Sequence, residues 1–118
     1  MNKINQPYTL GMWKAKAGNE KTFIAEWEVF AKWTASNQAG AGTGYLLQDA
    51  EHSQQFISFD PWENVDAIQA WRERPEFKVF VSKVRELCDD FQPRFLVLVS
   101  SSAYSNLVQR QRTALRRD

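Results

Sequence analysis

FDPWENVDAIQAWRERPEFKVF, residues 59–80, is the stretch that decides the fold, because a strand end, a turn, an aromatic helix and a proline break follow one another in it. Phe59 closes a β-like run, and Pro61 and Trp62 turn the chain. Asn64 is then a candidate N-cap for a helix. The apolar positions of that helix recur at helical spacing, at Val65, Ile68 and Trp71.

Pro75 interrupts this helix and favours the start of another. The residue before a proline, here Arg74, is disfavoured in the α region, whereas proline itself suits the first turn of a helix. Trp71 and Phe77 should flank the joint between the two helical pieces. The second piece is predicted to carry the apolar residues Phe77, Phe80, Val81, Val84 and Cys88.

The rest of the chain supplies the other elements of an α+β domain. Alternating residues predict a first strand from Tyr8 to Trp13, and Asn19 is a candidate N-cap for a first helix. Two short runs, 45–48 and 55–59, flank a polar segment and predict a hairpin, and the apolar run 95–99 predicts a fully buried last strand. One face of the first helix is expected to comprise Phe23, Trp27, Phe30 and Thr34.

The predicted order is therefore β-α-β-β-α-β, the ferredoxin-like motif, in which two helices pack on one face of a four-stranded antiparallel sheet. Two helices leave the other face uncovered. The last strand is nevertheless apolar on both sides, and a wet face would expose a large apolar patch. We therefore expect a homodimer that buries the open sheet face against a second copy of the chain.

The spacing of Trp62, Asn64, Trp71 and Phe77 resembles the antibiotic biosynthesis monooxygenase family of dimeric α+β barrel proteins. In that family a Trp, a capping residue, a second Trp and a Phe follow at about this spacing. The resemblance runs from about residue 8 to residue 100. It implies that the sheets of two chains close into a barrel, and it specifies the fold better than the reaction.

Length and composition fit one compact domain. The 118 residues include 43% hydrophobic and 25% charged residues, and the formal net charge is +1. We predict a ferredoxin-fold domain over residues 1–103 and a basic extension over residues 104–118, where four arginines stand against one aspartate. The extension is interpreted either as a contact arm for nucleic acid or a partner, or as a solvated, partly helical C-terminal extension. The balanced charge gives no global attraction to nucleic acid or to a membrane.

The single cysteine and the N-terminal sequence indicate the cellular compartment of the protein. Cys88 cannot form an intrachain disulfide, which favours a reducing compartment, and it is predicted to be a buried residue late in its helix. The first ten residues, MNKINQPYTL, lack the apolar core of a signal peptide, and no run is long enough to span a bilayer. We therefore expect a cytoplasmic protein.

Three motifs that resemble catalytic or ligand-binding motifs are interpreted as structural. GAGTG, residues 40–44, does not follow a strand and open a helix, so it is interpreted as a flexible link and the start of a strand rather than a phosphate cradle. His52 lies in the hairpin turn without partners for metal ligation or base chemistry. Asp89 and Asp90 are adjacent and are predicted to end the last helix. The sequence thus predicts no metal site and no cofactor.

The excess of aromatic residues, with five Trp and eight Phe, is the strongest indication of a site. Each aromatic residue alone is explained by core packing. Together, several could line a cavity between helices and sheet that holds a flat aromatic ligand by stacking. The glycine at mid-strand either accommodates Trp13 or leaves space for the ligand. The candidate ligand-binding residues are Trp71, Trp27, Phe30, Phe77, Phe80, Gly11 and Trp13.

The resemblance implies a cofactor-independent monooxygenase acting with O₂ on a small aromatic substrate such as a phenol, quinol or anthrone-like compound. A dry pocket would orient the substrate, and one polar group would bind or deprotonate its hydroxyl. Trp71 is expected to be a pocket wall. No residue is assigned as the base, and composition alone suggests Arg72, Tyr45, Gln48 and Arg94 as the polar group.

Two alternatives remain at this level. A haem-degrading branch of the family uses the second Trp with a first-strand Asn and a second-helix His, but those positions fall on Gly11 and Val81, which leaves no evident donor to haem iron. The other alternative is a dimeric small-molecule-binding or stress-associated module without turnover, since a fold does not guarantee chemistry.

Overall fold

The structure is a computed structural model that describes residues 3–102, so the predicted 104–118 extension lies outside the described residues. Seven elements follow in β-α-β-β-α-α-β order, and the four strands form one antiparallel sheet in the order β2-β3-β1-β4. The predicted ferredoxin-like α+β fold is confirmed. The elements are β1 (Pro7–Ala15), α1 (Glu20–Asn37), β2 (Tyr45–Gln48), β3 (Gln55–Pro61), α2 (Val65–Glu73), α3 (Pro75–Glu86) and β4 (Cys88–Val97).

The joint between α2 and α3 has the predicted construction. Asn64 caps α2, and its side-chain oxygen accepts a hydrogen bond from the amide of Ala67 at 2.8 Å. Arg74 is extended, with φ −67° and ψ 135°, and Pro75 is the first residue of α3. Asn19 occupies the N-cap position of α1, but its side chain makes no capping hydrogen bond there.

The central strand β1 sets which side chains face the helices. Thr9 pairs with Asp60 on one side and with Phe95 on the other, and Gly11 pairs with Ser58 and Pro93 in the same way. Residues directly opposite one another in a sheet point to the same face. The odd-numbered residues of β1 and the even-numbered residues of β3 therefore face the helices.

The start of β4 corrects the expectation for residues 88–90. Cys88 is the half-buried first residue of β4, not a helix residue, and Asp89 and Asp90 continue the strand instead of ending the helix. The strand was predicted only from residue 95 because Pro93 and the polar residues around it weaken the pattern. β4 is an edge strand, where a missing amide hydrogen does no harm, so Pro93 is tolerated.

Two aromatic clusters fill the space between helices and sheet. The first surrounds Trp13, Phe23 and Phe56, and the second surrounds Trp62 and Trp71. The buried residues of α1 are the four that were predicted, namely Phe23, Trp27, Phe30 and Thr34.

The opposite face of the sheet is uncovered in the single chain. The prediction that the last strand is fully buried is wrong for the single chain, since Leu96, on this face, is 43% exposed and Phe95, on the helical side, is 50% exposed. Burial would require a second copy, which is a proposal taken up below. Among residues 3–102 no helix is both long and apolar enough to cross a membrane. We call the apolar residues on this side the open face: Tyr8, Leu10, Met12, Tyr45, Leu47, Ile57, Phe59 and Leu96.

Candidate functional site

A cavity of about 530 Å³ lies between the helices and the covered face of the sheet. All three helices contribute to its roof, and β1, β3 and β4 form its floor. Its size matches the range of small-molecule sites, and most of its wall is apolar or aromatic. The helices supply Trp27, Phe30, Thr34, Trp71, Phe77 and Val81, together with Ala31, Arg72 and Arg85.

Six of the seven candidate ligand-binding residues meet at this cavity. Phe80 is the exception, because its ring packs behind the wall against Phe30 at 5.8 Å and Trp33 at 5.2 Å between centroids. Ligand binding by any of them remains a prediction. The six residues on the wall are Gly11, Trp13, Trp27, Phe30, Trp71 and Phe77.

Trp71 is held in one orientation by its neighbours. Its ring lies parallel to Phe30, at 5.6 Å and 6°, and meets Phe77 edge-on at 4.6 Å. The indole nitrogen donates a hydrogen bond to the hydroxyl of Thr34 at 3.0 Å. A ring fixed on three sides presents a preformed surface to a flat ligand, which lowers the entropic cost of binding.

Three buried indoles share this way of satisfying the N–H group. Besides the bond to Thr34, the indole of Trp13 donates to Ser58 at 2.9 Å, and that of Trp62 donates to Thr9 at 2.9 Å. All three hydroxyls lie on the cavity wall. Each oxygen accepts from an indole, and within residues 3–102 none of the three donates in turn. Their hydroxyl hydrogens are therefore available to an acceptor in the cavity.

Gly11 is explained by the close approach of Trp13. A Cβ at Gly11 would lie 2.7 Å from the Trp13 indole nitrogen and 2.9 Å from the Ser58 hydroxyl. The missing side chain thus makes room for the Trp13–Ser58 hydrogen bond beneath the cavity floor. Accommodation of Trp13 is the first of the two roles predicted for Gly11. The glycine also lines the cavity.

Among residues 3–102, Asp60 is the one carboxylic acid on the cavity wall. Burial raises its pKa from 3.8 to about 7. No neighbouring cation offsets that effect, since burial is the only cause of the shift. Its carboxyl oxygens have no hydrogen-bond partner within the described residues, and yet no unpartnered oxygen there is sealed from solvent. The carboxyl therefore opens onto the cavity.

The polar candidates named from composition divide into two pairs. Arg72 and Arg94 border the cavity, with Arg85 as a third cation, and all three are exposed. Arg94 pairs with Leu10, so its side chain lies on the side of the open face. Tyr45 and Gln48 lie on β2, outside the cavity wall. The Arg94 guanidinium is turned toward its own strand, where it donates to the Pro93 carbonyl and to the Gln92 side chain at 3.0 Å each.

A second cavity is larger, about 770 Å³, but is a poorer candidate. It lies beside residues 3–8 and the glycine-rich segment 40–43. Its one carboxylate, Glu63, is exposed, and part of its wall belongs to the open face. We therefore place the functional site in the aromatic cavity.

The remaining sequence motifs keep their structural roles. His52 is exposed in the β2–β3 hairpin, where the Asp49 carboxylate accepts hydrogen bonds from the amides of Glu51 and His52. Gly40 has φ +89° in the connection after α1, and β2 starts at Tyr45. Within residues 3–102 no group of three or more potential metal ligands occurs.

The haem alternative meets the same difficulty in three dimensions. Gly11 and Val81, the positions of the two polar residues of the haem-degrading branch, both lie on the cavity wall. Across the described residues that wall has no histidine, cysteine, methionine or tyrosine. It thus lacks the side chains that ligate haem iron in proteins.

Sequence reasoning missed the polar half of the cavity, which comprises Thr9, Thr34, Ser58 and Asp60. One signal could have found part of it. Phe56, Ser58, Asp60 and Trp62 alternate with period two, so the strand pattern continues beyond Phe59. Read in that way, the pattern places Asp60 on the same face as Phe56.

Fold and site together define a ferredoxin-like α+β protein with an aromatic cavity between its helices and its sheet. The family model described as antibiotic biosynthesis monooxygenase matches residues 8–83. The chain therefore belongs to the antibiotic biosynthesis monooxygenase family. A search of curated protein sequences finds no match.

Solved structures with this fold include SnoaB, a cofactor-independent oxygenase from Streptomyces nogalater. A variant of SnoaB is 15% identical, with a TM-score of 0.78, over 84% of this chain and 98% of that chain. Another structure of SnoaB gives 16% identity and a TM-score of 0.74, over 83% and 98% of the two chains. Rv0793 from Mycobacterium tuberculosis is 13% identical, with a TM-score of 0.70, over 82% and 98%. At these identities the similarity establishes the fold.

Proposed function

We propose that this protein is a cofactor-independent monooxygenase that oxidises a small phenol, quinol or anthrone-like substrate with O₂. The observation that carries the proposal is the aromatic cavity, whose wall brings three donor hydroxyls and one carboxyl together among aromatic rings, with arginines at the rim. Membership of the monooxygenase family supports the same reaction class. The oxygenase activity of SnoaB agrees with it.

The chemistry requires little from the protein. An electron-rich phenolate reduces O₂ directly, so the protein has to bind the ring, generate the phenolate and keep bulk water away. In our proposal Trp71 and Phe30 hold the ring by stacking. The hydroxyls of Thr34, Ser58 and Thr9 donate hydrogen bonds to the negative oxygen that develops on substrate or dioxygen.

Oxygen consumption by the purified, metal-stripped protein with a panel of phenols, quinols, naphthols and anthrones tests the function. We expect uptake with at least one substrate, and a fall in kcat/KM of about tenfold to a hundredfold in Trp71→Ala, because one stacking wall is lost. Trp71→Phe should retain more activity, since it keeps a ring and loses the bond to Thr34.

Trp33→Ala is the matched control, because Trp33, on α1, packs against Phe80 of α3 but does not line the cavity. Equal losses in the two alanine variants would contradict the binding role of Trp71. Saturable ligand binding by a folded protein that takes up no oxygen with any substrate would instead favour the small-molecule-binding module.

We further propose that the protein acts as a homodimer through the open face, as the resemblance to dimeric α+β barrels implies. The exposed fractions on this face are 51% for Tyr45, 54% for Leu47 and 43% for Ile57. Monomeric proteins rarely expose apolar patches of that extent. Burying them against the same patch of a second copy gives a closed twofold assembly.

The Ile57→Glu variant should convert the dimer to a monomer at micromolar concentration, because a buried glutamate without a partner opposes association. Light scattering coupled to size exclusion reads the mass, and far-UV circular dichroism checks the fold. Val29→Glu is the control, since Val29 is 51% exposed on the helical side. A monomeric native protein, or an Ile57→Glu variant that stays dimeric, would refute this interface.

A further inference from the structure

We propose that the Asp60 carboxylate is the base that accepts the hydroxyl proton of a phenolic substrate bound in the aromatic cavity. This inference rests on the proposed monooxygenase function and assigns it a catalytic residue. It also restricts the substrate class to compounds that enter the cavity as neutral molecules with a free hydroxyl group.

The position of Asp60 in the sheet places its carboxyl beside donor hydroxyls. The β1–β3 register places Asp60 opposite Thr9, on the covered face, two residues beyond Ser58. Two of the three donor hydroxyls are therefore its neighbours on the cavity floor. A substrate hydroxyl near Asp60 would find an acceptor for its proton and, beside it, donors for the oxyanion that remains.

Gly44 explains why the carboxyl can occupy this place. A Cβ at Gly44 would collide with the carboxylate of Asp60, so the side chain lies directly against the backbone ahead of β2. Backbone on one side and the cavity on the other leave the carboxyl poorly solvated. The raised pKa, about 7, follows from this burial.

The other charged groups around the cavity do not change their charge in the relevant pH range. α2 and α3 each contribute one arginine side chain to the wall, Arg72 and Arg85, while Arg94 of β4 borders the cavity but pairs with Leu10 of the open face. Among residues 3–102, α1, β1 and the remainder of β3 contribute no titratable group to the wall. Arginine stays protonated throughout. Of the described residues on the cavity wall, Asp60 is thus the one that can exchange a proton near neutral pH, where a general base works best.

The proton transfer balances within the O₂ reaction. The substrate O–H bond breaks, an O–H bond forms on Asp60, and the electron pair stays on the phenolate oxygen. The phenolate then reduces O₂ and forms a ring carbon–oxygen bond, which gives a peroxide, and Asp60 returns its proton to the outer peroxide oxygen. Loss of the ring C–H proton and cleavage of the O–O bond leave one oxygen as a quinone carbonyl and the other in water.

An equilibrium experiment tests Asp60 without turnover. The affinities of a naphthol and of its methyl ether are measured anaerobically from about pH 5.5 to 8, where the free naphthol stays protonated. As Asp60 ionises, the affinity for the naphthol should rise about three- to tenfold, because a hydroxyl-to-carboxylate hydrogen bond forms. The ether should show no rise, and neither ligand should show one with Asp60→Asn.

Turnover provides the second readout. In the native protein kcat/KM for oxygen uptake should increase with pH through about 7. Asp60→Asn should lower it by about a hundredfold or more and abolish that increase, whereas Asp60→Glu should keep the increase. Asp49→Asn is the control, since Asp49 is an exposed carboxylate in the β2–β3 hairpin.

The outcomes separate this inference from the function on which it rests. A flat naphthol affinity in the native protein, a rise retained in Asp60→Asn, or oxygen uptake with an unchanged pH profile in Asp60→Asn would each overturn the role of Asp60 alone. No oxygen uptake together with the expected affinity rise would overturn the monooxygenase and leave Asp60 as the proton acceptor of a binding site. No binding of either ligand, together with no oxygen uptake from any substrate of the panel, would overturn both.

Discussion

The Asp60→Asn variant should be markedly more stable than the native chain at pH 8, and nearly equal to it at pH 4. Burial raises the pKa of Asp60 from 3.8 to about 7. Between these values the folded protein holds a proton that the unfolded chain has released, so the free energy of unfolding falls as pH rises. The stability that the protonated Asp60 carboxyl contributes, relative to the ionised form, is fully present below about pH 4 and is lost above pH 7. Asparagine has almost the same shape and carries no charge, so the Asp60→Asn variant does not lose this stability as pH rises.

The full shift corresponds to roughly 4 kcal/mol. The cavity admits some solvent to the carboxyl, and we therefore expect a difference of about 2 to 4 kcal/mol between the two pH extremes. Urea unfolding of both proteins at pH 4, 6 and 8 measures it. A difference of this size is a large part of the stability of a small domain.

Other carboxylates titrate in the same experiment but cancel in the comparison. The pKa of Asp49 is lowered by hydrogen bonds from the amides of Glu51 and His52, so its contribution is present above pH 4 and lost as pH falls. This contribution of Asp49 is the same in the native chain and in Asp60→Asn. Parallel stability curves for the native chain and Asp60→Asn would show that the Asp60 carboxyl is well solvated.

Local signals in residues 59–80 were sufficient for the fold. The cap at Asn64 and the extended Arg74 before Pro75 depend on a few neighbouring residues, and the sequence shows such patterns directly. The aromatic wall followed from helical spacing in the same way. Trp71 and Phe77 had to meet because the two helices they belong to are joined by a single residue.

The polar wall was not accessible to that reasoning, because it depends on the register between strands. Asp60 directly precedes a proline and looked like part of a turn, but β3 continues to Pro61 and pairs Asp60 with Thr9. A shift of one residue would turn Asp60 to the open face, and the local signal against that shift is the alternation that continues from Phe56 past Phe59 to Trp62. The strand at Cys88–Arg94 was missed for a related reason, since its pattern appears only beside β1.

The indole–hydroxyl hydrogen bonds connect the stability of the core to the polarity of the cavity. Each bond satisfies a buried N–H group and at the same time fixes a hydroxyl whose hydrogen points elsewhere. Two of the indoles, Trp13 and Trp71, also form the cavity wall. The third, Trp62, lies behind the wall and contacts the site through its hydrogen bond to Thr9 and its packing against Trp71.

Replacement of Trp62 should have the largest effect on stability at any single position of the aromatic core. Trp62 is fully buried, packs against Trp71 at 4.8 Å and donates its hydrogen bond to Thr9. Trp62→Ala leaves a large void and should lower the free energy of unfolding by about 3 to 5 kcal/mol. Domains of this size have only about 5 to 15 kcal/mol in total.

Trp62→Phe separates the hydrogen bond from the packing. It keeps most of the ring volume but leaves the Thr9 hydroxyl without its donor, at a cost of about 1 kcal/mol for the bond. A double-mutant cycle with Thr9→Val in urea isolates that coupling, with Trp33→Ala as the reference for an indole that is only partly buried. Additive effects of the two substitutions would contradict a hydrogen bond that contributes to the fold. Coupling would mean that the Thr9 hydroxyl, on the cavity wall beside Asp60, is oriented by a tryptophan that a substrate never touches.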